Sequence, residues 1–188
     1  MVIYNIVRFY YLYKLFIFFI CLKLNIKIII FNYKINLERF IDYFKEHSKN
    51  LSISYKLNNY LDILKKLEGK EWEKYKCKER DEKSYHKEKI FCNKHCDIFI
   101  ITWFTESVVH DHAENGCIFK LLEGKLSETV YKRINDKLSI VNESVYHNND
   151  VGYIENKSGY HKIKNLNKNP SYSINIYSPP KYKCKEIN

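Results

Sequence analysis

The sequence predicts a mainly β domain, a small barrel or jelly roll preceded by amphipathic helices. From Ile90 onward the chain is a succession of short apolar or alternating segments divided by turn residues, the pattern of a sandwich or barrel. Helical periodicity is confined to the stretch between Asn36 and Gly69. The chain is 188 residues long, 45% hydrophobic and 16% aromatic, which is one domain's worth and apolar enough to form a core. It carries no internal repeat and no Gly-rich phosphate loop.

Residues 1–35 read as a hydrophobic N-terminal extension, and 36–188 as the domain itself. The apolar runs Leu15–Leu22 and Ile28–Phe31 are interrupted by Lys14, Lys23 and Lys27, so neither approaches the roughly 20 apolar residues of a spanning helix. Arg8 and Lys14 before the first run fit a signal anchor, but no small-residue cleavage site follows. A weak uncleaved anchor, a packed element and an extension without functional role all stay open. Asn36 is a good N-cap, and Leu37, Phe40, Ile41 and Phe44 recur at helical spacing over about three turns. A second helix is expected from Leu57 through Tyr60, Leu61, Leu64 and Leu67, with Gly69 closing it. Lys70 to Lys89 reads as polar surface anchored by Trp72 and Tyr75. Ile98 to Trp103 is a buried strand, and Cys117 to Tyr131 a hairpin turning at Glu123-Gly124. Val151 to Ile154 is another strand, and Ser158-Gly159 a turn before His161. Ser171 to Ser178 alternates, with Ser173, Asn175 and Tyr177 on one face and Ile174 and Ile176 on the other.

The formal net charge is +10, but the lysines are scattered among Asn, Ile and Tyr rather than gathered in a stripe. That is a composition bias with solvated lysines, and with no recognisable module or stacking platform it argues against a nucleic-acid partner. The six cysteines have no disulfide spacing. Cys92 and Cys96, with His86 and His95 nearby, lack the second paired cluster of a zinc site.

His110-Asp111-His112 carries the chemistry. Histidines two apart point the same way on a strand, so a metal held there needs a third ligand from a strand that folds back beside the first, and His161 is the best candidate. Three neutral imidazoles on one face of a divalent ion leave positions open for reactants.

The surrounding residues resemble the two cupin motifs. His110, His112, Cys117 and Gly124 match the first, with cysteine where a metal-binding Glu usually stands. Gly152, Gly159, His161 and Asn165 match the second, one residue short, and Ile134 to Asn149 corresponds to the variable stretch between them. More closely, His110-Asp-His112 with Cys117, Lys120-Leu-Leu-Glu-Gly124, Leu126-x-Glu128-Thr129, Gly159-x-His161 and Ser173-x-x-x-Tyr177-Ser-Pro-Pro180 resemble the cysteine dioxygenases. Glu71-Trp72-x-x-Tyr75, Tyr85-x-Lys87 and Trp103 extend the likeness over about Leu37 to Cys184.

That resemblance implies a single cupin domain in which His110, His112 and His161 hold Fe(2+). It implies a Cys117–Tyr177 thioether beside the iron, Ser173 and Asn175 orienting Tyr177, and Lys87 with Tyr85 binding the substrate. The implied activity is oxidation of L-cysteine by O2 to cysteine sulfinate, a step of cysteine catabolism toward hypotaurine and taurine. The implied protein is a cytoplasmic monomer, with membrane tethering through residues 1–35 the alternative.

Two positions depart from the family pattern. Lys87 stands where an arginine anchors the substrate carboxylate, giving a point charge instead of a bidentate fork; read without the resemblance, it is one more solvated lysine. Asn175 stands where a histidine is expected and cannot titrate near neutral pH. The sequence ends soon after Cys184, and a more open edge is expected there. Two rivals follow: a dioxygenase of another small thiol, 3-mercaptopropionate or cysteamine, and a catalytically impaired metal-binding cupin.

Overall fold

Among the described residues the chain forms ten strands: β1 (Tyr85–Cys92), β2 (Asp97–Trp103), β3 (Val109–His110), β4 (Cys117–Glu123), β5 (Leu126–Ile134), β6 (Lys137–Tyr146), β7 (Val151–Ile154), β8 (Tyr160–Asn165), β9 (Ser171–Tyr177) and β10 (Glu186–Ile187). They form two five-stranded sheets, ordered β1-β2-β9-β4-β7 and β10-β3-β8-β5-β6, with every pairing antiparallel. The mainly β architecture expected from the sequence is therefore present, as two antiparallel sheets. This computed structural model describes residues 34–52, 55–78 and 84–187. The readings of the N-terminal extension as anchor, packed element or functionless tail fall on residues 1–33 and lie outside the described residues. Among the described residues no helix is long and apolar enough to cross a membrane.

Two helices, α1 (Leu37–His47) and α2 (Leu61–Lys65), cover the outer face of the first sheet. The side chain of Asn36 accepts the Arg39 N–H at 3.0 Å, the N-cap that the sequence predicts. Leu37, Phe40 and Phe44 are buried on the stripe facing the sheet and cluster with Ile98, Ile100, Ile118, Ile174 and Ile176. The second helix is shorter than its periodicity suggests. Leu57–Tyr60 is a 3-10 turn, the α-helix stops at Lys65, and Gly69 turns the chain further on, its carbonyl accepting the Trp72 indole N–H at 3.2 Å.

Three strand expectations are corrected. β1 begins at Tyr85, inside the stretch read as polar surface, because an edge strand tolerates exposed charges such as Glu88 and Lys89. β4 and β5 are not a hairpin. Gly124, at φ +104° and packed against Ser171, carries the chain from one sheet to the other. β5 instead forms a hairpin with β6, which falls within the stretch read as variable. Its turn residues Asn135 and Asp136 both have positive φ between the paired Ile134 and Lys137, the signature of a type I′ connection.

Strand β9 lies between β2 and β4, largely buried, and serves both layers. Ile174 and Ile176 join the helix-side core. The other face looks toward a second core of Ile101, Trp103, Leu121, Leu126 and Ile163 between the sheets, against which Tyr177 packs. Lys120 ties the layers together: it is 1% exposed, and its ammonium donates to the carbonyls of Lys65 at 2.9 Å and Leu67 at 2.6 Å. These are carbonyls that the end of α2 leaves without helical partners. Replacing Lys120 with Met keeps the apolar stem and removes the donor, so Lys120→Met is expected to destabilise the fold by about 2–4 kcal/mol, measured from the urea denaturation midpoint.

Candidate metal centre

Residue His110 ends the two-residue strand β3, and His161 lies directly opposite it on β8. His112 falls just past the strand end yet keeps its ring on the same side. The three rings converge. Nε2 of His161 lies 2.8 Å from Nε2 of His112 and 3.1 Å from Nε2 of His110, and the potential ligand atoms all fall within 4.8 Å of one another. Among the described residues this is the one such cluster, so the Cys92/Cys96 region holds none. There, Asn93 Oδ1 accepts the N–H groups of His95 and Cys96 at 2.8 and 2.9 Å, an ordinary turn.

The far side of each ring decides what the near side offers. Nδ1 of His161 donates to Glu128 Oε1 at 2.7 Å, and Tyr146 O–H donates to Glu128 Oε2 at 2.7 Å. Nδ1 of His110 donates to the Val108 carbonyl at 3.0 Å. Both imidazoles therefore carry their proton outward and aim an Nε2 lone pair at the shared point. Lone pairs 3.1 Å apart repel unless a cation lies between them. Protons are poor candidates, because burial and the mutual repulsion of the rings hold His112 and His161 well below the usual imidazole range, and burial lowers His110 as well. A metal ion satisfies the same geometry: two nitrogens about 2.1 Å from one ion and at right angles to each other sit about 3.0 Å apart. The donor set and spacing fit a metal held by three histidines. The carboxylate–imidazole contact at Glu128 is the support that metal-binding histidines usually have.

Trp103, Cys117, Phe119, Leu126, Ile154, Ile163, Ser173, Asn175 and Tyr177 complete a small pocket around the imidazoles. Cys117 on β4 and Tyr177 on β9 are direct cross-strand partners, which brings thiol and phenol within hydrogen-bonding reach. Burial pushes the Cys117 thiol up to about 12, against the pull of Lys87 and of its bonds to Asn175 and Tyr177. Burial, reinforced by Cys117, raises the Tyr177 phenol as well. Tyr177 stacks near His112, with ring centroids 5.8 Å apart. A donor chain runs behind it: Trp103 Nε1–H to Ser173 Oγ at 2.8 Å, Ser173 O–H to Asn175 Oδ1 at 2.6 Å, and Asn175 Nδ2–H to Cys117 Sγ at 3.9 Å. Asn175 thus addresses the sulfur. Lys87, half-buried on β1, holds its ammonium 4.8 Å from the Tyr177 ring centroid and 5.4 Å from that of Tyr85, and its charge reaches all three imidazoles.

The structure gathers His110, His112, His161, Cys117, Ser173, Asn175 and Tyr177 around one pocket. Lys87 and Tyr85 are not in its lining and meet it through Tyr177 and Trp103. Asn175 bonds Ser173 and Cys117, where the sequence reading has it orient Tyr177. The structure adds Glu128 and Tyr146, to which no role was given. The available signal was Glu128 two residues after Leu126, an acidic side chain on the inward phase of β5, where it is 5% exposed.

Comparison with known proteins gives one family. Residues 41–188 match the family described as cysteine dioxygenase type I. Cysteine dioxygenase type 1 of Danio rerio is 31% identical over 87 residues, covering 44% of this chain and 43% of that protein. The Homo sapiens protein of the same name is 34% identical over 83 residues, covering 42% and 41%. The chain thus spans less than half the length of these relatives. A structure of Bacillus subtilis oxalate decarboxylase matches half of the chain and 24% of its own at 19% identity and a TM-score of 0.42.

Two outcomes are expected. Unfolded imidazoles take up protons near pH 6.5 while the buried, depressed ones resist, so the unfolded state binds more protons as pH falls. Denaturant titrations of metal-free protein should show stability held above that pH and lost below it, by up to about 1.4 kcal/mol per pH unit for each imidazole. Glu128→Ala should weaken metal binding about 10–100-fold, as read by competition with a chelator.

Proposed function

We propose that this chain, which belongs to the cysteine dioxygenase type I family, is a mononuclear non-haem iron thiol dioxygenase that oxidises L-cysteine to cysteine sulfinate. The observation that carries the reading is the convergence of three imidazole Nε2 atoms in a pocket lined by Tyr177, with the Lys87 ammonium 4.8 Å from the centre of that ring. His110, His112 and His161 would hold Fe(2+). When bound, that ion supplies the one-electron chemistry through which dioxygen reacts with a thiolate. The reaction balances without a further reductant: a thiol and O2 give a sulfinic acid, with both oxygen atoms ending on sulfur.

The chain's own residues do the positioning. Lys87, held against Tyr85 and Tyr177, pairs with the substrate carboxylate and sets the distance between that group and the imidazoles. Tyr177 directs its hydroxyl into the pocket from a ring fixed by Phe99, whose centroid is 5.7 Å away in an edge contact. Ser173 and Asn175 form a relay with a single hydrogen-bond direction, which fixes the Asn175 amide and hence the Cys117 side chain. The apolar lining of Leu126, Ile154 and Ile163 limits water around the reacting groups. Cys117 and Tyr177 are placed to join as a thioether. Sγ would bond to a ring carbon, the thiol and ring hydrogens would leave, and two electrons would pass to dioxygen. The protein acts in this reading as a cytoplasmic monomer on small molecules, with no nucleic-acid partner and with residues 1–35 as an extension outside the catalytic domain.

A second reading rests on Lys87 itself. A single ammonium recognises a carboxylate without fixing its plane, which suits 3-mercaptopropionate as well as cysteine and disfavours cysteamine, which has no carboxylate. Oxygen uptake by iron-loaded protein is expected to be fastest with L-cysteine, slower with 3-mercaptopropionate and slowest with cysteamine. His161→Ala should lose both iron and uptake. A variant that keeps full iron content would refute the ligand assignment, and iron-loaded protein without thiol-dependent uptake would favour a catalytically impaired cupin. Intact mass after turnover should fall by two hydrogens in the wild type and remain unchanged in Cys117→Ser.

A further inference from the structure

Asp111 stands between two of the converging histidines and takes no part in their cluster; its contacts run the other way. Its Oδ1 accepts the Lys185 N–H at 2.7 Å and the Tyr182 hydroxyl at 3.1 Å, and its own N–H donates to the Lys185 carbonyl at 3.1 Å. Immediately beside it, β10 pairs with β3, Glu186 opposite His110 and Ile187 opposite Val109. The segment enters this arrangement after Lys181, whose N–H is held by Asp97 Oδ2 at 2.8 Å. Residues 182–187 are thus fastened at both ends, the second fastening lying beside the strand that carries His110. Half-buried Cys184 lies between the fastenings, within electrostatic reach of Tyr85, Lys87, Cys117 and Tyr177.

A two-residue strand is a weak hold. β10 has an exposed glutamate and a half-buried isoleucine, so little apolar burial opposes its release, and such segments open at low cost. The side-chain bonds of Asp111 supply what the ladder lacks. We propose that residues 182–187 form a closing strap over the Tyr85–Lys87 side of the imidazole pocket, and that Asp111 is the positioning residue that latches it. The strap is the outer neighbour of β3, so the latch also holds the short strand that carries His110. The inference deepens the reading of this pocket as a substrate site and rests on it for one consequence, that entry requires the latch to open. The latch itself is read by a measurement that involves no catalysis.

The experiment is native-state maleimide labelling of the metal-loaded full chain, quantified by peptide mass spectrometry. Exposed Cys92 serves as reference and fully buried Cys96 as a sentinel of the fold. Asp111→Ala is expected to raise the Cys184 rate relative to Cys92 at least about fivefold. Asp111→Asn, whose amide oxygen can accept the same two bonds, should restore most of the protection. Tyr182→Phe, which removes one bond, should fall between. An unchanged Cys184 rate in Asp111→Ala, or an equal rise in Asp111→Asn, overturns the latch. Should Asp111→Ala also expose Cys96, Tyr182→Phe decides: faster Cys184 labelling with Cys96 protected supports the strap, and no change overturns it. Loss of dioxygenase activity with all thiols would defeat the functional reading while leaving these rates to stand or fall independently.

Discussion

Facing lone pairs on buried imidazoles are the constraint on which the rest of this molecule depends. Glu128 and the Val108 carbonyl take the outward protons of His161 and His110, and those two bonds commit both inner nitrogens to acceptance. Burial removes the option of adding protons at neutral pH. What remains is a hole in the charge distribution that a divalent cation fills. The supporting bonds are as much a part of the site as the ligands, since a rotated or re-tautomerised ring would aim a hydrogen at the same point. Tyr146, by donating to the second oxygen of Glu128, keeps that carboxylate oriented and extends the support to β6.

The polar inventory on the other wall has a direction as well. From the Trp103 indole through Ser173 to Asn175, each group donates to the next along the chain, and the last donor meets the Cys117 sulfur. An asparagine at the end of such a chain is held by the hydroxyl behind it and carries no proton to share. Lys87 then brings a permanent charge to the pocket's aromatic wall, and the charge balance of any bound anion falls on it and the metal together.

Much of this was legible in the sequence because it follows from short-range rules. The Asn36 cap, the stripe of Leu37, Phe40 and Phe44, the two-faced alternation of Ser171–Tyr177 and the His-x-His pair each rest on one periodicity. Long-range choices were not legible. Glu123-Gly124 has the chemistry of a hairpin turn, and nothing local says that the next strand will join the other sheet. β1 was hidden because an edge strand can be as charged as a loop. Glu128 was visible only as an acid at an apolar position, and its role needed His161 to arrive from 33 residues away. Asp111 was masked by its neighbours: between two candidate ligands, it reads as a spacer.

Strand β9 exposes a division of labour with an evolutionary side. Its odd-numbered residues from Ser173 to Tyr177 address the chemistry, and Ile174 and Ile176 between them hold the helices. Variation at the odd positions can therefore retune reactivity while the hydrophobic seam stays intact, whereas a slip of one residue would put isoleucine where the phenol belongs. An asparagine at position 175 is the kind of change this arrangement lets a lineage try without losing its scaffold.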